Sequence, residues 1–133
     1  MVHVPYACLL VAFALIYLPR FVVGAEMKKQ AGGYDNSDPR GQQAKLDGRG
    51  KRALGAHHNS IEAFGPFAVA VLACGQTGAS LTAVAITCLV FVAARIGYIL
   101  AYIADKAAVR SGLWGLGMLC TTALYVFALL GPQ

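Results

Sequence analysis

Glu62 and Arg95 are the two side chains least compatible with their surroundings. Glu62 is followed by Ala-Phe-Gly-Pro-Phe-Ala-Val-Ala-Val-Leu-Ala-Cys, a run with no further charge. Arg95 lies inside another apolar run, ten positions before Asp105. With about 1.5 Å of rise per helical residue, Glu62 sits roughly 15 Å beyond Arg52, and Arg95 roughly 15 Å from Asp105. A charge at that depth in an apolar helix is costly and comes with a partner or a task. Matched depth and opposite sign predict a buried Glu62–Arg95 pair, and two such charges define a site. Arg52, Asn59 and Glu62 follow i, i+7, i+10, with His58 four before Glu62, so they share one broad helical face. Arg95, Tyr98 and Tyr102 follow i, i+3, i+7 on a second helix, and Arg110-Ser111 opens a third, with Trp114 one turn on. A cluster of this kind can also be purely structural. Buried Arg–Glu pairs set helix register, and asparagine hydrogen bonds join membrane helices.

The elements that carry these residues read as an all-α, four-helix transmembrane bundle forming a single domain over 1–133. Hydrophobic residues make up 58% of the 133-residue chain and charged ones 13%. The mean hydropathy is +0.61, far above an ordinary soluble domain. Four runs, approximately 4–24, 53–74, 80–104 and 111–130, are long enough to cross a hydrocarbon core of roughly 30 Å as helices. A soluble helical bundle would need a polar stripe facing water, and three of these runs lack one. Pro19 is expected to kink the end of the first helix. Arg20 beside it either snorkels to the interface or turns inward toward a bound anion. Gly65-Pro66 allows a bend just past Glu62. Gly112, Gly115 and Gly117 permit close packing of the last helix.

Charge placement gives the orientation. All eleven Lys and Arg fall between Arg20 and Arg52 or between Arg95 and Arg110. The positive-inside rule then places the 25–52 loop and the 105–110 turn in the cytoplasm, with both termini on the other side. Topology therefore accounts for the net charge of +5, and nucleic-acid binding has no separate support. The N-terminal run does not read as a signal peptide, because its first basic residue, Arg20, follows the apolar stretch. Loop one is dense in turn formers from Gly32 to Arg40, and Gly41–Lys51 reads as helix leading into the second span. It is either a solvated connector or a cover for the site. Cys8, Cys74, Cys88 and Cys120 all lie in or beside apolar runs without a Cys-x-x-Cys or Cys/His cluster. They read as small buried hydrophobes, and no metal site is expected.

Arg52-x6-Asn59-x2-Glu62 with a nearby proline, four short membrane helices, Arg95-x2-Tyr98-x3-Tyr102 and Arg110-Ser111 together resemble the MAPEG family. These are membrane-associated proteins in eicosanoid and glutathione metabolism. The likeness spans essentially the whole chain, and the Gly33-Tyr-Asp-Asn-x-x-Pro-Arg40 loop resembles a bacterial branch whose members mostly lack a defined substrate. The resemblance implies a homotrimer in a bacterial inner membrane that binds glutathione between subunits, near the cytoplasmic side. It assigns Asn59 and Glu62 to the tripeptide, Glu62 through the cationic amine. Tyr98 and Tyr102 would line the ligand and Arg95 would anchor it, with Arg52 and His58 on the same face. Arg110 would stand beside the thiol. That role is chemically sound, since an adjacent arginine and a helix N-terminus both lower a thiol pKa from near 8.5. Departures from the eicosanoid-forming members are Gly55 in place of an arginine, Lys51 in place of a glutamate, and Trp114 in place of a tyrosine. His57, His58 or Arg20 would have to supply the missing cationic contacts.

Two classes of function follow. One is a glutathione-dependent transferase or peroxidase acting on lipophilic electrophiles or lipid hydroperoxides. Arg110 and Tyr102 would be catalytic, and the second substrate would enter from the bilayer. The other is a non-catalytic trimeric membrane protein, or an amphiphile-binding one, in which the Glu62–Arg95 pair serves assembly.

Overall fold

A computed structural model describes residues 2–132. Five helices follow in order: α1 (His3–Lys29), α2 (Pro39–Ala44), α3 (Gly48–Gln76), α4 (Leu81–Ile103) and α5 (Ala107–Leu130). Four are long. The expected four-helix count omits α2, which interrupts loop one. Asp38 Oδ1 accepts from Gly41 N at 2.9 Å, and Pro39 occupies the first turn, where its missing N–H costs nothing. The helix stops at Ala44, so Gly41–Lys51 is two helical pieces rather than one. The span limits also move outward: α1 runs through the buried Pro19 to Lys29, α3 begins at Gly48, and α5 begins three residues before Arg110.

The buried Gln42 amide fastens loop one to the end of α1, and Leu46 packs with Val23, Met27 and Ala53. Gln42 Nε2 donates to Met27 O at 3.1 Å and to Gly33 O at 2.7 Å, while its Oε1 accepts from Asp35 N at 2.9 Å. Gly32 and Gly33 both take positive φ to turn the chain back toward that amide. Asp35 Oδ1 accepts from the Ser37 hydroxyl, from Ser37 N and from Asp38 N. These bonds, the Ser37 hydroxyl first, hold the Asp35 carboxyl below the usual carboxylate range.

α3 packs on α1, and α5 on α4, with α3 also against α4 and α5. The interior of α3 is small at its loop-one end, with Gly50, Ala53, Ala56 and Ser60 buried. Phe67, Ala70, Val71 and Cys74 follow toward the other end. Phe67 stacks on Phe91 of α4 at 3.7 Å between ring centroids and 6° between planes. All four cysteines are free and buried in this one core, one from each long helix. That agrees with the reading of small hydrophobes.

The two ends of the bundle differ in charge. Arg52 Nε donates to Ile103 O at 3.2 Å and Arg52 Nη1 lies 3.5 Å from Asp105 Oδ2, which puts loop one beside the α4–α5 turn. At the opposite end a Cβ on Gly131 would stand 2.5 Å from Thr77 O, and one on Gly78 3.0 Å from Pro132 O. The chain's last described residues therefore lie on the α3–α4 turn, and that turn carries no Lys or Arg. Met1 and Gln133, the termini expected on the non-cytoplasmic side, lie outside the described residues.

Among the described residues, α1, α4 and α5 are long and apolar enough to cross a membrane. The chain is an integral membrane protein. α3 is as long as the others, but Arg52, His57, His58, Asn59 and Glu62 dilute its apolar character, so composition alone does not mark it as a span.

Candidate functional site

The polar faces foreseen on α3 and α4 meet the start of α5. Arg95 is 4% exposed, with its guanidinium engaged by polar and aromatic groups. Its Nη2 donates to Asn59 Oδ1 at 3.0 Å and to Ser60 Oγ at 3.4 Å, and its guanidinium carbon stands 4.2 Å from the Tyr98 ring centroid. Ser60 Oγ in turn donates to Ala56 O at 2.8 Å. Asn59 Nδ2 then donates to Glu62 Oε2 at 3.2 Å. The cation thus fixes which way the Asn59 amide faces, and Asn59 presents its N–H to the carboxylate.

This corrects one expectation. Glu62 and Arg95 form no direct ion pair; among the described residues the ion pairs are Lys29–Glu26 and Arg52–Asp105. Asn59 stands between the two, because it lies one helical turn before Glu62 and on the side facing α4. Glu62 itself is exposed. Pro66 has no N–H to donate to the Glu62 carbonyl four residues earlier, so the backbone acceptor there is also free of the usual helical bond.

Tyr98 and Tyr102 meet edge to face, with 5.6 Å between centroids and 83° between planes. The Arg110 guanidinium lies over the Tyr102 ring at 4.7 Å. Two arginines thus flank two tyrosines, each cation on a ring face where the quadrupole is negative. Asn59, Tyr98, Tyr102, Arg110, Ser111 and Trp114 line a cavity of about 280 Å³. Trp114 also borders a narrower groove with Glu62, Pro66, Arg95 and Met118.

Of the residues singled out from sequence, Asn59, Tyr98, Tyr102 and Arg110 share the cavity, and Glu62 and Arg95 join it through Asn59. Two others do not line it. Arg52 is engaged by Ile103 and Asp105, and His58 is exposed, with its ring 5.7 Å from that of His57. His57 bonds Ile16 O through Nδ1 at 2.7 Å and so ties α3 to α1. Ser60 was missed. Its only signal in the sequence is a hydroxyl among the small residues of α3, at the depth of Arg95.

A family model described as MAPEG family matches residues 4–130. The chain belongs to the MAPEG family. Neither the curated proteins nor the solved structures compared with it gave a match. MAPEG membership ties the chain to membrane proteins of eicosanoid or glutathione metabolism. In this MAPEG chain the three polar segments named above fall on α3, α4 and the first turns of α5, and their side chains meet in one place.

Proposed function

We propose that the protein is a membrane-bound, glutathione-dependent transferase or peroxidase acting on lipophilic electrophiles or lipid hydroperoxides. The observation that carries the reading is the Arg110 guanidinium, held over Tyr102 at the edge of a polar cavity that also contains Asn59 and Tyr98. In this reading Arg110 favours the thiolate of bound glutathione, and the Tyr98 and Tyr102 hydroxyls position it. Asn59 and Glu62 bind the tripeptide, Glu62 through its amine. Arg95 acts from behind, by orienting Asn59. The thiolate sulfur forms a bond to the electrophilic carbon, and the leaving group departs with the electron pair. With a hydroperoxide the thiolate takes the terminal oxygen, the alcohol leaves, and a second glutathione gives the disulfide and water.

The working unit in this reading is a homotrimer whose site is completed at a subunit interface. The exposed Glu62 and the open side of the cavity support it, because ligand pockets commonly enclose about 300–1,000 Å³. We place all four long helices across a bacterial inner membrane, with loop one in the cytoplasm and both termini outside. One observation favours the alternative of a non-catalytic assembly or amphiphile-binding protein: Arg52 and Arg95 are both occupied by protein groups, which leaves Arg110 to meet a ligand's negative charge.

Purified trimer incubated with glutathione and a chromogenic aryl halide separates the two. Turnover that saturates with glutathione and is lost in Arg110→Ala supports the enzyme. Absence of both turnover and glutathione binding at millimolar concentration supports the alternative.

A further inference from the structure

The space beside Gly55 is already taken. A Cβ built on it would stand 2.5 Å from Tyr102 Oη, 2.9 Å from Cζ and 3.4 Å from Cε1, whereas Gly24 and Gly65 have nothing within 4 Å. The hydroxyl end of Tyr102 thus rests on the α3 backbone, with position 55 as its floor. Among the described residues no protein group hydrogen-bonds the Tyr102 hydroxyl, so fit against α3 is what seats it. From that seat a circuit of contacts closes. Tyr102 carries Arg110 at 4.7 Å and meets Tyr98 at 5.6 Å; Tyr98 carries Arg95 at 4.2 Å; Arg95 bonds Asn59 at 3.0 Å. Asn59 lies four residues after Gly55 on the same face of α3.

We infer that Gly55 is a positioning residue: its missing side chain seats Tyr102, and through that ring sets where the Arg110 guanidinium stands in the cavity. The inference rests on the glutathione site proposed above. A methyl group at 55 drives the Tyr102 hydroxyl from 2.5 Å out to ordinary contact. The side chain gives way before the helix, because the obstructing atoms are the far end of Tyr102, whereas Ala53 and Ala56 of α3 are fully buried. The ring therefore swings toward the cavity and Arg110 loses its support. The backbone of α3 does not suffer, since alanine is the better helix former. Damage to the site is thus separated from damage to the fold.

The test compares wild type with Gly55→Ala, Gly24→Ala, Tyr102→Phe and the Gly55→Ala/Tyr102→Phe double variant as purified full-length protein. Trp114 is the chain's sole tryptophan and lines the same cavity, so acrylamide quenching of its emission reads the cavity without any ligand. The second readout is glutathione turnover, with the pH at which the bound thiolate appears in the ultraviolet. Gly55→Ala is expected to change Trp114 quenching and raise the pH of thiolate formation. Turnover should fall by about 10²-fold, the scale of a misplacement near 1 Å, while the thermal midpoint does not drop. Gly24→Ala should leave all of these as they are. In the Tyr102→Phe background, the alanine at 55 should matter less. Wild-type quenching and wild-type titration in Gly55→Ala overturn the inference. If wild type itself shows no thiolate, the glutathione reading fails, and Trp114 quenching alone decides the seat of Tyr102: a change upholds it, no change overturns it. If Gly55→Ala does not fold, Gly55→Ala/Tyr102→Leu, which removes Cζ as well as the hydroxyl, decides: folding supports the contact, and failure overturns it.

Discussion

Replacing Arg95 by leucine removes one buried cation, two hydrogen bonds and a ring contact at once. The bond to Asn59 is charge-assisted and well placed at 3.0 Å, worth about 2 kcal/mol. The second, to Ser60 at 3.4 Å, is long and adds little. The stack on Tyr98 at 4.2 Å contributes about 1 kcal/mol. Arg95→Leu should therefore destabilise the protein by roughly 3 kcal/mol, partly offset by relief of burying the charge. The informative quantity is the coupling. In a double-mutant cycle with Asn59→Ala, Arg95→Leu should show an interaction energy of about 2 kcal/mol, because the two side chains touch. In the parallel cycle with Glu62→Gln the coupling should be smaller and should vanish in an Asn59→Ala background, because it is relayed through the Asn59 amide. Denaturant unfolding in detergent, read by Trp114 fluorescence, supplies both cycles. Strong coupling of Arg95 to Glu62 that persists in an Asn59→Ala background would refute the arrangement and restore a direct ion pair.

Other outcomes follow from the same geometry. A Cβ at Gly117 meets Arg95 Cδ at 3.7 Å and Phe91 at 3.8 Å, ordinary contacts, so Gly117→Ala should keep or raise stability by up to about 1 kcal/mol in thermal unfolding. Phe67 is fully buried and stacked on Phe91, so Phe67→Ala should cost about 3–5 kcal/mol in the same assay. Asp35 has a lowered carboxyl pKa, so its bonds to Ser37 and Asp38 stabilise loop one above the ordinary carboxylate range near 4 and are lost as pH falls through the lower folded value. Protection of the Ser37 and Asp38 amides, as exchange relative to the intrinsic rate at each pH, should fall at acid pH in wild type and be low already at neutral pH in Asp35→Ala. A reporter fused at Gln133 should be active only outside the cytoplasm if the charge map sets the orientation.

Much of this was legible in the residues because membrane class depends on composition and helix faces depend on spacing. The apolar runs, the confinement of Lys and Arg, and the shared faces of Asn59/Glu62 and Arg95/Tyr98/Tyr102 need no tertiary information. Partner choice within the cluster does. Charge and depth matched Glu62 to Arg95, but which acceptor a guanidinium reaches turns on an angle of tenths of a helical turn, and Asn59 lay nearer. Arg52 shows the same limit: it shares the site's helix, yet it bonds the end of α4 because loop one and the α4–α5 turn close on each other. The short α2 was hidden for a local reason. Its six residues are too few to show a period, and the cap on Asp38 and the amide of Gln42 decide where it starts and what it docks on. Gly55 was noticed only as a missing cation. That Tyr102 fills its space is a matter of helix separation, which no single sequence displays.

In the proposed function Arg110 stabilises a thiolate in the cavity it shares with Asn59, Tyr98 and Tyr102. The direct test is an ultraviolet titration of the glutathione thiolate on wild type, Arg110→Lys and Arg110→Ala, beside a binding isotherm for each. Lysine keeps the charge but loses the planar fork that lies over Tyr102. A thiolate signal is expected near neutral pH in wild type, weakened in Arg110→Lys and lost in Arg110→Ala, while glutathione affinity should fall much less because Asn59, Glu62 and the tyrosines would still hold the tripeptide. Turnover should fall with the thiolate signal, as expected of an interaction made mainly in the reacting state. A thiolate signal that is unchanged in Arg110→Ala, or absent from wild type at millimolar glutathione, would contradict that role for Arg110.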